Sequence, residues 1–470
     1  MALAFIRAAP AVRRVVFKSN VARVATLSRF FSVGSCLRYE KPESIVIDGK
    51  SYETDDWTNL PSSILKLVGR NLHLNPNHPI GILNSLVKKR FGNMGYTHYD
   101  NFKPVVSKFE NFDVLGFPED HPGRSKSDTY YINKDYLLRT HTSAHEYYCF
   151  KNCETPGYFI TADVYRRDEI DKTHYPGFHQ MEGARIWKKD ENVIETISKD
   201  LENLPTIDII VEDTPKSYDD KTNPKQEYMS VEEVALVSRH LKRTIEILVN
   251  EVFHLGMIAS KKNRNNKKIE PLKVRWVEAY FPWTAPSWEI EVFWNGEWLE
   301  CCGCGLVQQQ VLINSGKNED TIGWAFGIGL DRIAMLLFGI PDIRLFWSED
   351  DRFLKQFKEG SVNYFKPYSK YPSSKKDISF FINSGKEKGN ESERGFHDND
   401  LYEIIREVSQ EDLIENVNCI DNFVHPNGKL SKCFRITYQS MDRTLTNDEV
   451  NKIHEKIKQT LAERFDITLR

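Results

Sequence analysis

The stretch YFITADVYRRDEIDKTHYPGFHQMEGARIW (Tyr158–Trp187) decides how this chain folds. Its ends, YFITADVYRR and FHQMEGARIW, are rich in β-formers, and its middle, DEIDKTHYPG, carries turn residues. Two antiparallel strands joined by a loop of about ten residues are therefore predicted. Strand alternation aims Phe178, Gln180 and Glu182 at one face. An aromatic plate, an amide and a carboxylate then share a surface suited to a nucleotide base and an ammonium group. Arg166, at the end of the first strand, offers a planar fork to a phosphate oxygen. Read alone, the same residues also fit a salt-bridged hairpin whose charges only solvate it. Arg167, Asp168, Glu169 and Asp171 read as such loop and surface charges.

Other segments narrow the choice. GWAFGIGLDRIAMLLFGIPDIRLFW (Gly323–Trp347) joins a glycine-rich strand to a helix with Arg332 in its first turns, ended by Gly339 and Pro341. HPIGILNSLVKKRFGNMGY (His78–Tyr96) reads as a helix from about Pro79 to Phe91 running into a strand. Ser230 and Glu233 form a capping box ahead of an apolar stripe of Val234, Val237, Leu241, Ile245, Leu248 and Val252, a helix packed on a core. The basic loop KKNRNNKK (Lys261–Lys268) follows, either solvated or in contact with RNA phosphates.

A Pro/Tyr/Lys/Ser stretch, NYFKPYSKYPSSKK (Asn363–Lys376), reads as a linker. Beyond it, DISFFI is strand-like and DNDLYEIIREVSQ puts Leu401, Ile404, Ile405 and Val408 on one helical face. Two strands flank HPNGK, with Asn427-Gly428 as the hairpin signal. Thr446 and Glu449 cap a last helix, and DITLR closes as a strand. That order, βαββαβ, is a ferredoxin-like sandwich. The expected class is α+β, with a large segment at 40–360, a linker at 361–368 and a module at 369–470.

Composition bounds the rest. With 470 residues the chain is too long for one ordinary core. No stretch approaches the run of about 20 apolar residues that spans a bilayer. Residues 1–31 hold six basic residues and no acid, the pattern of a mitochondrial transit peptide cut after Phe31; a basic arm that binds RNA is the alternative. Its removal takes the formal charge from −3 to −9, so an RNA partner must be held by a local basic patch. The eight cysteines include Cys149, Cys153, Cys301, Cys302 and Cys304, which could assemble a zinc site. Regular Cys-x2-Cys pairs and histidine partners are missing, so reduced, packed thiols and no zinc are expected.

In this order the helix and strand with Pro79, the Arg166 hairpin and the Arg332 strand and helix resemble the three signature motifs of class II aminoacyl-tRNA synthetases. NFDVLGFPEDHPGR (Asn111–Arg124), LLRTHTSAHE (Leu137–Glu146), THYPGFHQMEG, FPWTAPSWEIEV and GWAFGIGLDR look like the catalytic chain of the phenylalanyl-tRNA synthetases. The resemblance covers nearly everything after residue 70. It implies an antiparallel-sheet catalytic domain flanked by helices, and a C-terminal ferredoxin-like anticodon-binding domain as in single-chain mitochondrial members. It implies formation of phenylalanyl-adenylate from L-phenylalanine and ATP with Mg²⁺, then transfer to the terminal adenosine of tRNA(Phe). A monomer in the mitochondrial matrix, with no editing subunit and no membrane partner, is expected.

Mapped onto this chain, the resemblance gives Arg166 and Arg332 catalytic roles, with adenine between Phe178 and Arg332. Thr173, His174 and Tyr175 border the nucleotide. Gln180 and Glu182 take the ammonium, and Thr142, Ser143, Ala144 and His145 hold the substrate's polar end; His145 equally suits a structural hydrogen bond. Phe281 and Trp283 pack on the ring, with Phe326 beside them and Ala325 leaving space; many family members have Phe where this chain has Trp283. Glu300 is placed near magnesium or the adenylate, Glu289 being second choice, although either also fits a paired strand residue. A dry apolar pocket rejects an added hydroxyl by only ~100-fold, so tyrosine mischarging is a risk. A synthetase-like RNA-binding protein would have a damaged site, and a ligase for another amino acid would need a polar group in the ring pocket.

Overall fold

In the computed structural model, residues 42–153, 157–263, 270–367, 371–383, 396–409, 413–426, 428–440 and 443–470 are described, the side chains of 259–263 excepted. The transit-peptide expectation at 1–31 and Asn427 of the hairpin lie outside them, as does the basic loop after Asn263. Among the described residues no helix is long and apolar enough to cross a membrane.

The hairpin forms as strands Gly157–Tyr165 and Gly177–Lys188, antiparallel, with an eleven-residue connection. They occupy one half of an eight-stranded sheet whose order is Thr97–Tyr99, Gly157–Tyr165, Gly177–Lys188, Thr321–Gly329, Glu297–Val307, Thr284–Trp294, Leu272–Phe281 and Ile209–Asp213. The pairs within it are antiparallel except the two at its edges. One face packs on the long helix Val231–Asn263, whose stripe Val234, Val237, Leu241, Ile245, Leu248 and Val252 is buried. Ser230 and Glu233 cap that helix reciprocally, at 2.7 and 3.2 Å.

The helix Pro79–Gly92 starts where Pro at N1 and the His78 side chain fix its entry. Burial lowers the His78 pKa to about 3, so the ring is neutral. Nδ1 then accepts from the Ile80 amide at 3.3 Å and Nε2 donates to the Phe346 carbonyl at 2.9 Å. Two turns of backbone meet at Gly81, where a Cβ would stand 1.8 Å from the Asn75 carbonyl oxygen. Alanine has the better helix propensity by about 1 kcal/mol, but backbone cannot step aside cheaply. Gly81→Ala is expected to lower stability by about 1–3 kcal/mol in urea denaturation; an unchanged or raised midpoint would contradict that close approach.

The C-terminal module runs strand Ser374–Ile382, helix Asp398–Ser409, strands Ile414–Val424 and Leu430–Tyr438, helix Asn447–Arg464 and strand Ile467–Leu469, in spatial order second, third, first, fourth. Its first strand starts before DISFFI, because Lys375 and Lys376 pair with Thr437 and Ile436. The Thr446–Glu449 capping box is present.

One expectation is corrected at the junction of the two halves. Arg167 is not a free surface charge, and the backbone of Asp168 and Glu169 lies against the C-terminal module, although the Glu169 side chain itself is exposed. Arg167 pairs with Asp400 at 3.0 Å, and Arg406 donates to the carbonyls of Asp168 and Glu169 at 2.6 and 3.1 Å. Ile170 joins the module's own core, its carbonyl accepting from the Val417 amide at 2.8 Å. Tyr130 donates to Glu403 at 2.6 Å from the catalytic side.

Candidate active site

The register of the sheet sets the floor of the site. One row of paired residues runs Ile160, Glu182, Gly327, Gly303, Glu289; the next runs Tyr158, Ala184, Ala325, Gly305, Ser287; a third runs Ala162, Gln180, Gly329. Residues paired across a ladder share a face. Glycine and alanine therefore pave the ground between the carboxylates of Glu182 and Glu289, leaving room for a ligand to lie on the sheet. A Cβ at Gly329 would meet nothing within 4 Å. Gly303, Gly327 and Gly329 carry this bare floor in the sequence, whereas Gly305 and Gly323 are glycine because neighbouring backbone leaves no room for a Cβ.

At one end the floor is polar. The turn Thr142–His145 comes down on Gln180 and Glu182. The Thr142 amide donates to Gln180 Oε1 at 3.3 Å, and the hydroxyls of Thr142 and Ser143 donate to Glu182 Oε2 at 3.1 and 2.5 Å. Next to it the floor is apolar: Ala144, Tyr158, Ala184, Phe281, Trp283, Val307 and Ala325 belong to one buried cluster. Trp283 lies 6.4 Å from Phe281 and 5.0 Å from Phe117 between ring centroids, both near parallel.

Arg166 Nε donates to the Thr140 carbonyl at 2.7 Å, and its guanidinium lies 5.2 Å over the Phe178 ring. Its buried Nη2 has no protein partner. Burial lowers its pKa to about 10, against the pull of Asp168 and Asp128, so it stays charged at neutral pH. The Arg332 helix is locked to the hairpin through the preceding residue: Asp331 accepts from the His179 amide at 2.5 Å and faces His179 Nδ1 at 3.1 Å. Arg332 itself is exposed and close enough to Glu300 to act on its charge.

Glu289, Glu291 and Glu300 crowd the other end. Burial, then Glu300 and Glu291, push the Glu289 pKa up to about 7, and burial likewise raises Glu300 against the pull of Arg332. Glu291 is paired with Arg275, which leaves Glu289 and Glu300 as hard oxygen donors that suit a magnesium-type cation. The thiols read differently. Cys302 and Cys304 lie in the main core, and burial pushes Cys302 up to about 12.

Thr173, His174 and Tyr175 form a turn on Asp171, whose Oδ1 accepts from the Thr173 and His174 amides at 2.6 and 2.8 Å. His174 and Tyr175 border a cleft of about 970 Å³ lined also by Arg70, Arg344, Arg406, Lys456 and Arg464. It lies between the catalytic half and the C-terminal module, apart from the bare floor.

Two expected contacts are corrected. Phe326 does not flank Trp283: alternation gives Ala325 to the site, so Phe326 points to the opposite face, packed on Gly183 and 5.6 Å from the Phe159 ring. His145 faces inward, its Nε2 3.1 Å from the Arg139 guanidinium and its ring stacked on Phe102 at 4.3 Å and 8°. Burial, then Arg139, holds its pKa well below the usual histidine value, so it accepts as a neutral ring.

Two residues went unassigned in the sequence although both lie in LLRTHTSAHE. His141 sits between Arg166 and the aromatic wall, parallel to Phe117 at 5.7 Å and 6.1 Å from Trp283, with a pKa lowered to about 3 mainly by burial and then by Arg166. Glu146 is buried beneath Glu182.

Comparison with known proteins agrees with this geometry. The class II tRNA synthetase core domain (F) model matches residues 65–203 and 226–357, and the ferredoxin-fold anticodon binding domain model matches 369–470. The mitochondrial phenylalanine–tRNA ligase of Saccharomyces cerevisiae is 52% identical over 92% of this chain and 96% of its own length. That of Mus musculus is 42% identical over 91% and 89%. The phenylalanine–tRNA ligase alpha subunit of Vibrio campbellii is 32% identical over 62% of this chain and 71% of its own. With a class II floor, an anticodon-binding module on the same chain and relatives matched almost end to end, this chain belongs to the phenylalanine–tRNA ligase family of class II aminoacyl-tRNA synthetases, in its mitochondrial form.

Proposed function

We propose that the chain activates L-phenylalanine with ATP and transfers it to the terminal adenosine of tRNA(Phe) for translation in the mitochondrial matrix. The observation that carries this reading is the joining of a polar end, Gln180 and Glu182, to an aromatic, small-floored pocket of Phe281, Trp283 and Ala325. An amino acid with an ammonium at one end and a phenyl ring at the other spans these two environments. Ser143 and Thr142 orient Glu182 for the ammonium, and the turn's backbone, with Ala144, closes the polar end.

The substrate carboxylate attacks the α-phosphorus in line, and pyrophosphate leaves. Arg166, already oriented by Thr140 and Phe178, offers its unpartnered Nη2 to the charge growing on that phosphate. No covalent enzyme intermediate is needed: the work is positioning and electrostatics. Adenine stacks on Phe178 and meets Arg332, while the turn of Thr173, His174 and Tyr175 faces the cleft beside the C-terminal module. Glu300, with Glu289 beside it, would hold the magnesium that accompanies ATP and offsets phosphate charge. One chain carries both the catalytic and the anticodon-binding parts, which supports a monomer.

The test is amino-acid-dependent exchange of pyrophosphate into ATP. Phenylalanine gives the strong signal, and tyrosine, bearing one extra hydroxyl in an apolar pocket, gives a kcat/KM roughly 100-fold lower. A phenylalanine signal no higher than that of the other amino acids would end the reading.

A further inference from the structure

Four polar atoms in one buried spot have no partner in the protein: Glu146 Oε1 and Oε2, Glu182 Oε1 and the Tyr158 hydroxyl oxygen. Glu146 is 1% exposed and opens the short helix Glu146–Asn152, directly after the turn that grips Glu182. Its carboxyl stands within hydrogen-bonding reach of the Glu182 carboxyl. Two carboxylates that close, out of water, cannot both ionise, and one proton comes to lie between them. Among the described residues, the titratable neighbours facing Glu146 include no basic group: they are Glu182 on the sheet, Cys149 on its own helix and Tyr158 on the adjoining strand.

The two are not equivalent. Glu182 Oε2 accepts from the Thr142 and Ser143 hydroxyls, whereas neither oxygen of Glu146 accepts from any donor. Burial and the Glu182 charge accordingly hold the Glu146 pKa well above the usual carboxylate range.

We infer that Glu146 is a positioning residue for the amino-acid substrate: as a neutral carboxylic acid it donates its proton to Glu182 Oε1, so that the pair presents a single, oriented negative charge to a single ammonium. With Oε2 held by Thr142 and Ser143 and Oε1 by Glu146, the Glu182 carboxylate is fixed in plane before substrate arrives, and charge at the pocket's polar end is matched one to one. A lone Glu182 would pivot, and an ionised pair would leave one buried charge without a counterpart. The inference rests on the proposed role of Glu182 as ammonium acceptor.

Pyrophosphate exchange on the full chain tests it with Glu146→Leu, Glu146→Gln and Glu182→Gln. Glu146→Leu removes the donor and raises KM for phenylalanine roughly tenfold or more, with KM for ATP close to that of the unaltered enzyme. Glu146→Gln, whose amide also donates, recovers most of that loss, to within about threefold. In infrared difference spectra the unaltered enzyme shows a protonated buried carboxyl band that is missing from Glu146→Gln. A leucine variant with unchanged KM, a glutamine variant as impaired as leucine, or absence of that band from the unaltered enzyme would overturn the inference. Unchanged KM in Glu182→Gln would instead overturn the ammonium reading beneath it, while a raised KM there with no effect at Glu146 would overturn the proton-sharing pair alone.

Discussion

Arg166→Ala is expected to lower kcat for phenylalanine-dependent pyrophosphate exchange by about 10³-fold while leaving the fold intact, the scale for loss of one preorganised charge donor at a transition state. The guanidinium is held on one edge by the Thr140 carbonyl and on its face by the Phe178 ring, so its remaining N–H groups point in a fixed direction before substrate arrives. Nη2 is buried without a protein partner, which makes it a donor the fold has oriented but not used. Burial has lowered its pKa, yet a value of about 10 keeps it cationic at any pH where the enzyme would work. Arg166→Lys recovers little, because one ammonium cannot both bond Thr140 and spread flat over Phe178 while reaching a phosphate oxygen. Rapid-quench measurement of adenylate formation checks this, with circular dichroism as the control for folding. A loss below tenfold in the alanine variant would remove Arg166 from the reacting phosphate.

How legible this site was in the sequence depended on whether a residue's neighbours were local. Phe178, Gln180 and Glu182 fell on one face by alternation alone, because a strand has a fixed period of two. Both capping boxes, at Ser230 and Thr446, were readable since each closes within three residues. The order of the C-terminal module followed from elements of a few residues each. The Phe326 error was avoidable by the same alternation: Ala325 and Phe326 are adjacent in a strand, so they cannot both line one pocket.

Other features had no local signature. Arg167 meets Asp400, more than two hundred residues away, and nothing in RRDEID marks those charges as interface rather than solvent. Glu146 is the last residue of LLRTHTSAHE, but its role depends on which side of its helix turns toward Glu182. His145 and His141 are both histidines in one turn. Only the fold assigns the first to Arg139 and the second to the aromatic wall.

That Arg139 contact leads to the largest expected effect on stability. Arg139 follows the strand Tyr136–Leu138 and runs beneath the turn that grips Glu182; it and Asp163 are 1% and 2% exposed in their side chains. Its Nε donates to the Asp163 carbonyl at 2.5 Å, its Nη1 to the carbonyls of Phe102 and Lys103 at 2.9 and 2.8 Å, and its Nη2 to the Asp163 carboxylate. Burial by itself would raise the Asp163 pKa, but the Arg139 charge and the Tyr165 hydroxyl outweigh it and bring it to about 2. Since that lies below its ordinary 3.8, this carboxylate contributes stability that is present above pH 4 and is lost as pH falls toward 2. Arg139→Met strands the carboxylate in the core and is expected to cost about 3–5 kcal/mol in the first urea unfolding transition. The companion change Asp163→Asn, made together with it, should return part of that loss by removing the orphaned charge, although three backbone carbonyls still lack their donor. KM for phenylalanine should rise in the single variant as well, because His145 and with it the Thr142–Ser143 turn lose the group that seats them. An Arg139→Met protein within about 1 kcal/mol of the unaltered chain would mean that the pair only breaks even against its desolvation, and that the turn is held by the sheet and not by this arginine.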